Sequence, residues 1–193
     1  FNARNAEEGR SVFAAGGGKT RLGEKMFDEK VTIVSDPWHP ELPGSQSAQS
    51  GIPAEKITMV KSGVLEKLTY NGPVNTIFET NGSTSTIEEM IRSTERGILV
   101  GRFWYIRSTD PRTASSTGLT RDGVWLIEDG KIAYPLRNLR FNQSVIRMLG
   151  PGNVLMVSKS ERVGGSEGGG SNASFLPALK LKEFVFTSQS EAV

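Results

Sequence analysis

The sequence predicts an α+β chain dominated by strands: a mostly antiparallel sheet, twisted or barrel-like, with two short helices. Two observations carry this. Short β-branched and aromatic runs recur along the chain, separated by turn dipeptides such as Ser62-Gly63 and Asp129-Gly130. Helical spacing of apolar residues, by contrast, is confined to two brief segments. At 193 residues with 36% hydrophobic and 8% aromatic residues, the chain is long enough to bury a core as one domain.

Taken in order, residues 1–23 are polar and glycine-rich. Gly16-Gly17-Gly18-Lys19-Thr20 invites a phosphate-loop reading, but that motif needs glycine where Phe13 stands, and no buried strand precedes it. A flexible glycine loop is the expectation. Val31–Ser35 reads as a strand stopped by Asp36-Pro37. The proline-rich stretch 37–44, with His39 inside it, cannot be a helix interior or a central strand. Residues 45–54 read as a surface loop. Ile57–Lys61 and Val64–Tyr70 form a hairpin about Ser62-Gly63, and Val74–Glu79 follows as a strand.

Ser83–Thr94 is the clearest helix, with Ser85 and Glu88 as its capping box and Ile87, Met90 and Ile91 on one face. Ile98–Arg107 is apolar on both alternating faces, Phe103 and Tyr105 on one, Trp104 and Ile106 on the other. Such a strand is buried on both sides or covered by a partner. Strand character resumes at Leu119–Arg121 and at Val124–Ile127, and Asp129-Gly130 pairs Val124–Glu128 with Lys131–Pro135. Asn142–Leu149 reads as a short helix capped by Asn142, Asn153–Ser158 as a strand, and 160–174 as a Gly/Ser loop. Leu176–Phe186 is the last strand, with Leu179, Leu181 and Phe184 among its core candidates. The sum is about nine strands, with no fixed repeat.

The same residues bound the chemistry. There is no cysteine and a single histidine, His39, so thiolate nucleophiles and Cys-ligated zinc are excluded within the chain. No catalytic residue and no metal ligand is assigned. Twenty-three basic against 21 acidic side chains leave a net charge of +2, which gives no electrostatic case for nucleic acid or a membrane surface. No apolar run is long enough to span a bilayer. The chain opens at Phe1 with neither initiator methionine nor leader, so it reads as a piece of a longer protein. What stands out is the arginine content of residues 94–142: Arg102, Arg107, Arg112, Arg121, Arg137 and Arg140 can line a groove on adjacent strands, or pair with local acids.

These segments also carry a resemblance. Glu95-Arg96-Gly97-Ile98-Leu99-Val100, Trp104-Tyr105-Ile106-Arg107, Asp110-Pro111-Arg112-Thr113, Gly118-Leu119-Thr120-Arg121-Asp122-Gly123 and Asn138-Leu139-Arg140-Phe141-Asn142 resemble, in collinear order, the TldD/PmbA family. Glu8-Gly9-Arg10-Ser11, Leu22-Gly23-Glu24-Lys25-Met26-Phe27-Asp28 and Phe184-Val185-Phe186-Thr187-Ser188 extend the likeness over nearly the whole chain. It implies that residues 1–193 are a single C-terminal domain of that family, cytoplasmic zinc metallopeptidases and their metal-free partners, also labelled modulators of DNA gyrase. The implied activity is hydrolysis of unfolded peptides inside a closed dimer.

Active members carry a His-Glu-x-x-x-His helix upstream of where this chain begins and a cysteine ligand near the position of 160–174. This chain has neither, and its join at Tyr70-Asn71-Gly72-Pro73 is short for the family. The resemblance therefore implies the metal-free partner or peptide-binding half, as a homodimer or a heterodimer with a zinc-bearing member. The alternatives are a fragment of an active zinc enzyme whose ligands lie outside the chain, or a non-enzymatic β-sheet interaction module. Peptide contact is expected at Arg107, Asp110, Arg112, Arg121, Asp122, Asn138, Arg140 and Asn142, by pairing to a strand edge with arginines assisting.

Overall fold

The computed structural model describes residues 1–45, 47, 53–80, 82, 84–164 and 174–190. Among them are fifteen strands and three helices. The first helix, α1 (Ala3–Glu7), was not expected: with only Ala3 and Ala6 buried it has no large apolar stripe to read. Asn2 caps it by accepting the Asn5 N–H at 2.9 Å. The glycine run is not a loose loop but a tight hairpin between β1 (Ala14–Gly16) and β2 (Lys19–Thr20). Gly17 and Gly18 take φ of 58° and 74°, the pair of positive values a two-residue turn of this hand requires.

Strand β3 (Ile33–Ser35) is fully buried and lies between β4 (Ile57–Lys61) and β6 (Thr76–Phe78). The hairpin about Ser62-Gly63 forms as expected, but β5 (Val64–Leu65) is short, and Thr69 instead bridges to Asn2. The proline-rich stretch is pinned by buried Asn75. Its side chain donates at 2.7 Å to the carbonyls of Asp36 and Leu42 and accepts the Asp36 N–H at 2.8 Å.

Helix α2 (Ile87–Arg92) is shorter than expected, and its capping box is Thr86 with Glu89, not Ser85 with Glu88. Ser83 lies outside the described residues. Strands β7 (Arg96–Asp110) and β8 (Ser115–Glu128) are continuous ribbons of 15 and 14 residues, longer than the pieces the sequence suggested. Then β9 (Lys131–Pro135) folds back on β8 about Asp129-Gly130. That turn rests on the end of α2, with the Asp129 and Gly130 N–H groups donating to the carbonyls of Glu95 and Thr94 at 2.7 and 2.9 Å.

Asn142 is not a helix cap. It belongs to β10 (Leu139–Ser144), and Ser144 caps the single turn of α3 (Val145–Met148). Pairing with β8 from Arg140 to Ser144 keeps the backbone extended past Asn142. Beyond it, β11 (Val154–Val157) matches expectation, while β12 (Glu161–Val163) extends into what read as loop. The rest of that Gly/Ser stretch, 165–173, lies outside the described residues, as does most of 46–52.

The expected last strand is three: β13 (Ser174–Leu176), β14 (Leu179–Leu181) and β15 (Phe186–Gln189). Pro177 breaks the first junction. At the second, Asn153 accepts the Glu183 N–H and donates to the Glu183 carbonyl, at 2.9 and 3.0 Å, holding the chain out of strand pairing.

The strands form two principal sheets, neither closed into a barrel. One is mixed, in the order β12-β13-β6-β3-β4-β5, with β13 parallel to β6. The other is antiparallel, β15-β10-β8-β7, with β9 on the far half of β8. The main core gathers Phe27, Val31, Met59, Val60, Leu65 and Val154, all nearly inaccessible.

Asp28 ties that core to the loop before β11. Its buried carboxylate accepts the Gly152 N–H at 2.7 Å and the Lys30 N–H at 3.1 Å, with the Lys30 ammonium at 3.4 Å. Burial pushes its pKa up, but these donors outweigh burial and hold it below the ordinary carboxylate value. Because the folded pKa is depressed, the stabilisation is present above the unfolded value near ~4 and is lost as pH falls through the folded one. Asp28→Asn is expected to cost about 1–3 kcal/mol at neutral pH. Urea melts across the acid range would show that deficit shrinking below about pH 4; a deficit independent of pH would contradict the assignment.

Candidate functional site

Three irregularities interrupt the register of the β7–β8 ribbon, and the first two decide which side chains meet. Val100 pairs Val124 and Arg102 pairs Arg121, so Asp122 and Gly123 together oppose Gly101. Asp122 and Gly123 take φ of 58° and 121°. The Trp125 ring lies so close to Gly123 that a Cβ there would sit 1.9 Å from it. Further along, Trp104 pairs Leu119 and Arg107 pairs Thr117, so Tyr105 and Ile106 together oppose Gly118. Tyr105 itself takes a φ of 54°, a left-handed conformation uncommon for an aromatic residue.

Directly paired residues share a face. One face therefore carries Phe103, Thr120, Phe141 and Phe186, and Phe184 joins them. Phe103, Phe141 and Phe184 lie within 5.0–5.5 Å of one another, centroid to centroid. The other carries Arg102 opposite Arg121, then the row Trp104–Leu119–Arg140, then the row Arg107–Thr117–Asn142. Four arginines thus share one face of three adjacent strands.

Their local chemistry is specific. The guanidinium carbons of Arg102 and Arg121 each lie 4.7 Å from the Trp104 ring centroid. Asp122 meets both, at 3.0 Å from Arg102 and 3.7 Å from Arg121. Arg107 lies 4.4 Å from the Tyr105 ring centroid and donates to the Ile106 carbonyl at 2.8 Å. Trp104 and Arg121 are half-buried and the other groups exposed, so each pairing contributes at most about 1 kcal/mol to stability. The arrangement orients the guanidinium planes more than it holds the fold.

Of the residues expected to contact peptide, Arg107, Arg121, Arg140 and Asn142 come together on this face, with Asp122 at its bulge. Asp110 and Arg112 belong to the turn closing the ribbon. Asp110 accepts the Arg112 N–H and the Thr113 hydroxyl, both at 2.9 Å, and the Arg112 N–H foremost holds its pKa below the ordinary range. That accounts for Asp110 as a turn residue. Asn138 lies apart, accepting the Thr120 hydroxyl at 3.3 Å on the phenylalanine side. Trp104 was missed as the platform, and Arg102 as its partner; their two-residue spacing was the available signal. His39 packs its ring 4.7 Å from Phe175, and its buried Nδ1 lacks a hydrogen-bond partner among the described residues.

Zinc does not fit these residues. The chain offers no thiolate and one imidazole, and among the described residues no group of three His, Cys, Asp or Glu side chains could hold a metal.

Fold and face together define a strand-rich domain with one arginine-bearing face ordered around Trp104. The chain belongs to the TldD/PmbA family: the model of the PmbA/TldA metallopeptidase C-terminal domain matches residues 1–73 and 70–188. The two matches overlap at residues 70–73. A protein named "Metalloprotease" from Archaeoglobus fulgidus is 42% identical over 53 residues, 28% of this chain and 12% of that protein. The fold is similar to the crystal structure of TldE from Thermococcus kodakarensis (TM-score 0.74, 20% identity, covering 96% of this chain and 45% of that one). It is equally similar to a protein from Bacteroides thetaiotaomicron described as a modulator of DNA gyrase (TM-score 0.74, 19% identity, 98% and 42%). The chain spans less than half the length of these solved relatives. Among the described residues no helix is long and apolar enough to cross a membrane.

Proposed function

We propose that this chain is the peptide-holding half of a TldD/PmbA-family protein acting in proteolysis of unfolded peptides in the cytoplasm, as the metal-free partner in a dimer. An extended peptide pairs through its backbone with the outer edge of β7. One observation carries this reading. β7 ends its sheet with 15 residues, and on it Ile98, Phe103 and Ile106 stay 40%, 37% and 50% exposed. The sequence expected this two-sided apolar strand to be buried or covered by a partner; within the chain it is not buried. A long apolar edge invites strand addition unless something occupies it, and strand addition is an established way to hold extended peptides. The chain's own part is to bind and orient. Its donor set does not suit zinc, so hydrolysis is assigned to residues outside it.

Hydrogen exchange of the purified protein with and without an unstructured peptide tests this. Added protection is expected across 96–110; protection confined to other segments would overturn the edge assignment. Metal analysis of the same preparation is expected to find zinc far below stoichiometric, and a stoichiometric zinc would overturn the metal-free reading.

A further inference from the structure

The geometry points to a preference for extended peptides bearing acidic side chains, read by Arg102, Arg121 and Arg140 on the Trp104 face. This rests on the β7 edge holding the peptide. A strand added to that edge places the residue opposite Arg102 on the same face as Arg102, with Cβ atoms about 4.5–5.5 Å apart. The residue two further along lies opposite Trp104. A carboxylate at the first position meets guanidinium planes already oriented by the indole, the geometry that favours forked carboxylate binding.

Charge balance selects an acidic occupant. Asp122 is a single carboxylate shared by Arg102 and Arg121, and Arg140 adds a further positive charge in the Trp104 row. The side chains of Arg102 and Arg121 are 48% and 39% exposed, so both remain accessible to a ligand. The positive character is local, because the whole chain carries only +2. That favours a peptide with a few carboxylates over a nucleic acid, which needs an extended field. Asp122 then acts as an internal competitor that a peptide carboxylate displaces.

Fluorescence anisotropy with two labelled peptides of equal length tests the preference. Both alternate apolar residues with polar ones, glutamate in one and glutamine in the other. At low salt the glutamate peptide is expected to bind about three- to tenfold tighter, the yield of one or two half-exposed ion pairs. Added salt should erode that advantage without weakening the glutamine peptide. In the double variant Arg102→Gln, Arg121→Gln most of the advantage should be lost, with Arg140 alone left in the row. Asp122→Asn should enlarge it, since asparagine tolerates the positive φ at that bulge. Equal binding of both peptides, unchanged in the variants, would overturn the acidic preference and leave edge pairing standing. Binding of neither would overturn both, and tighter binding of a single-stranded oligonucleotide than of the glutamate peptide would overturn the preference.

Discussion

Gly63→Ala is expected to lower unfolding free energy by about 2–5 kcal/mol, combining left-handed strain with a backbone clash. Gly63 has a φ of 84° in the turn between β4 and β5, following Ser62 at 45°. A Cβ there would sit 2.3 Å from the Phe27 carbonyl oxygen and 2.8 Å from that of Asp28. The neighbouring backbone cannot easily retreat. The Gly63 carbonyl accepts the N–H groups of Met26 and Phe27, both at 3.0 Å, and its own N–H donates to Val31 at 2.9 Å. Phe27 and Val31 are core residues, so the clash passes directly into the packed interior.

Gly18→Ala provides the control. Its φ is 74°, close to that of Gly63, but nothing lies within 4 Å of the added carbon. Only the strain remains, about 1–2 kcal/mol. Urea denaturation of both variants separates conformation from contact. Equal losses would mean that the β4–β5 turn does not rest on residues 26–31.

The contrast also shows what sequence could deliver. Ser62-Gly63 and Asp129-Gly130 were legible because the chemistry of a two-residue turn is local to two residues. The α2 cap was off by one because Ser85 with Glu88 and Thr86 with Glu89 both satisfy the same spacing. The backbone, not the pattern, selects Thr86. Asn142 as a helix cap failed because tertiary pairing to Thr117 overrides a local capping preference.

The site is the instructive case. Strict alternation puts Arg107 on the Phe103 face, two steps beyond Tyr105. The bulge at Tyr105 and Ile106 inserts one residue, so Arg107 lies with Trp104 instead. Nothing in those two β-prone side chains announces a bulge; the small residue opposite them, Gly118, is its only sequence trace. Family resemblance was legible because its motifs are collinear over the chain. That arginines gather on adjacent strands was legible too; which of them share a face was not, because that depends on two of the bulges and on β10 pairing with β8 over a separation no local pattern reports.

That pairing rests on Phe141, and Phe141→Ala is expected to cost about 3–5 kcal/mol, the range for losing a buried aromatic side chain. Phe141 is only 5% exposed, with its ring 5.0 Å from Phe103 and 5.5 Å from Phe184. Gly118 lies beneath the ring, where a Cβ would be 2.7 Å from it, and it brings no side chain of its own to fill the vacated volume. For a chain of this size the loss corresponds to a melting-temperature drop of about 6–20 °C. Phe103→Ala should cost less, because Phe103 is 37% exposed and leaves a space open to water. The order of the two melting temperatures is therefore the discriminating measurement. Equal drops would mean that the phenylalanine face is not packed about Phe141. A larger drop for Phe141 supports a sheet in which aromatic packing on one face holds β7, β8 and β10 in the register that assembles the arginines on the other.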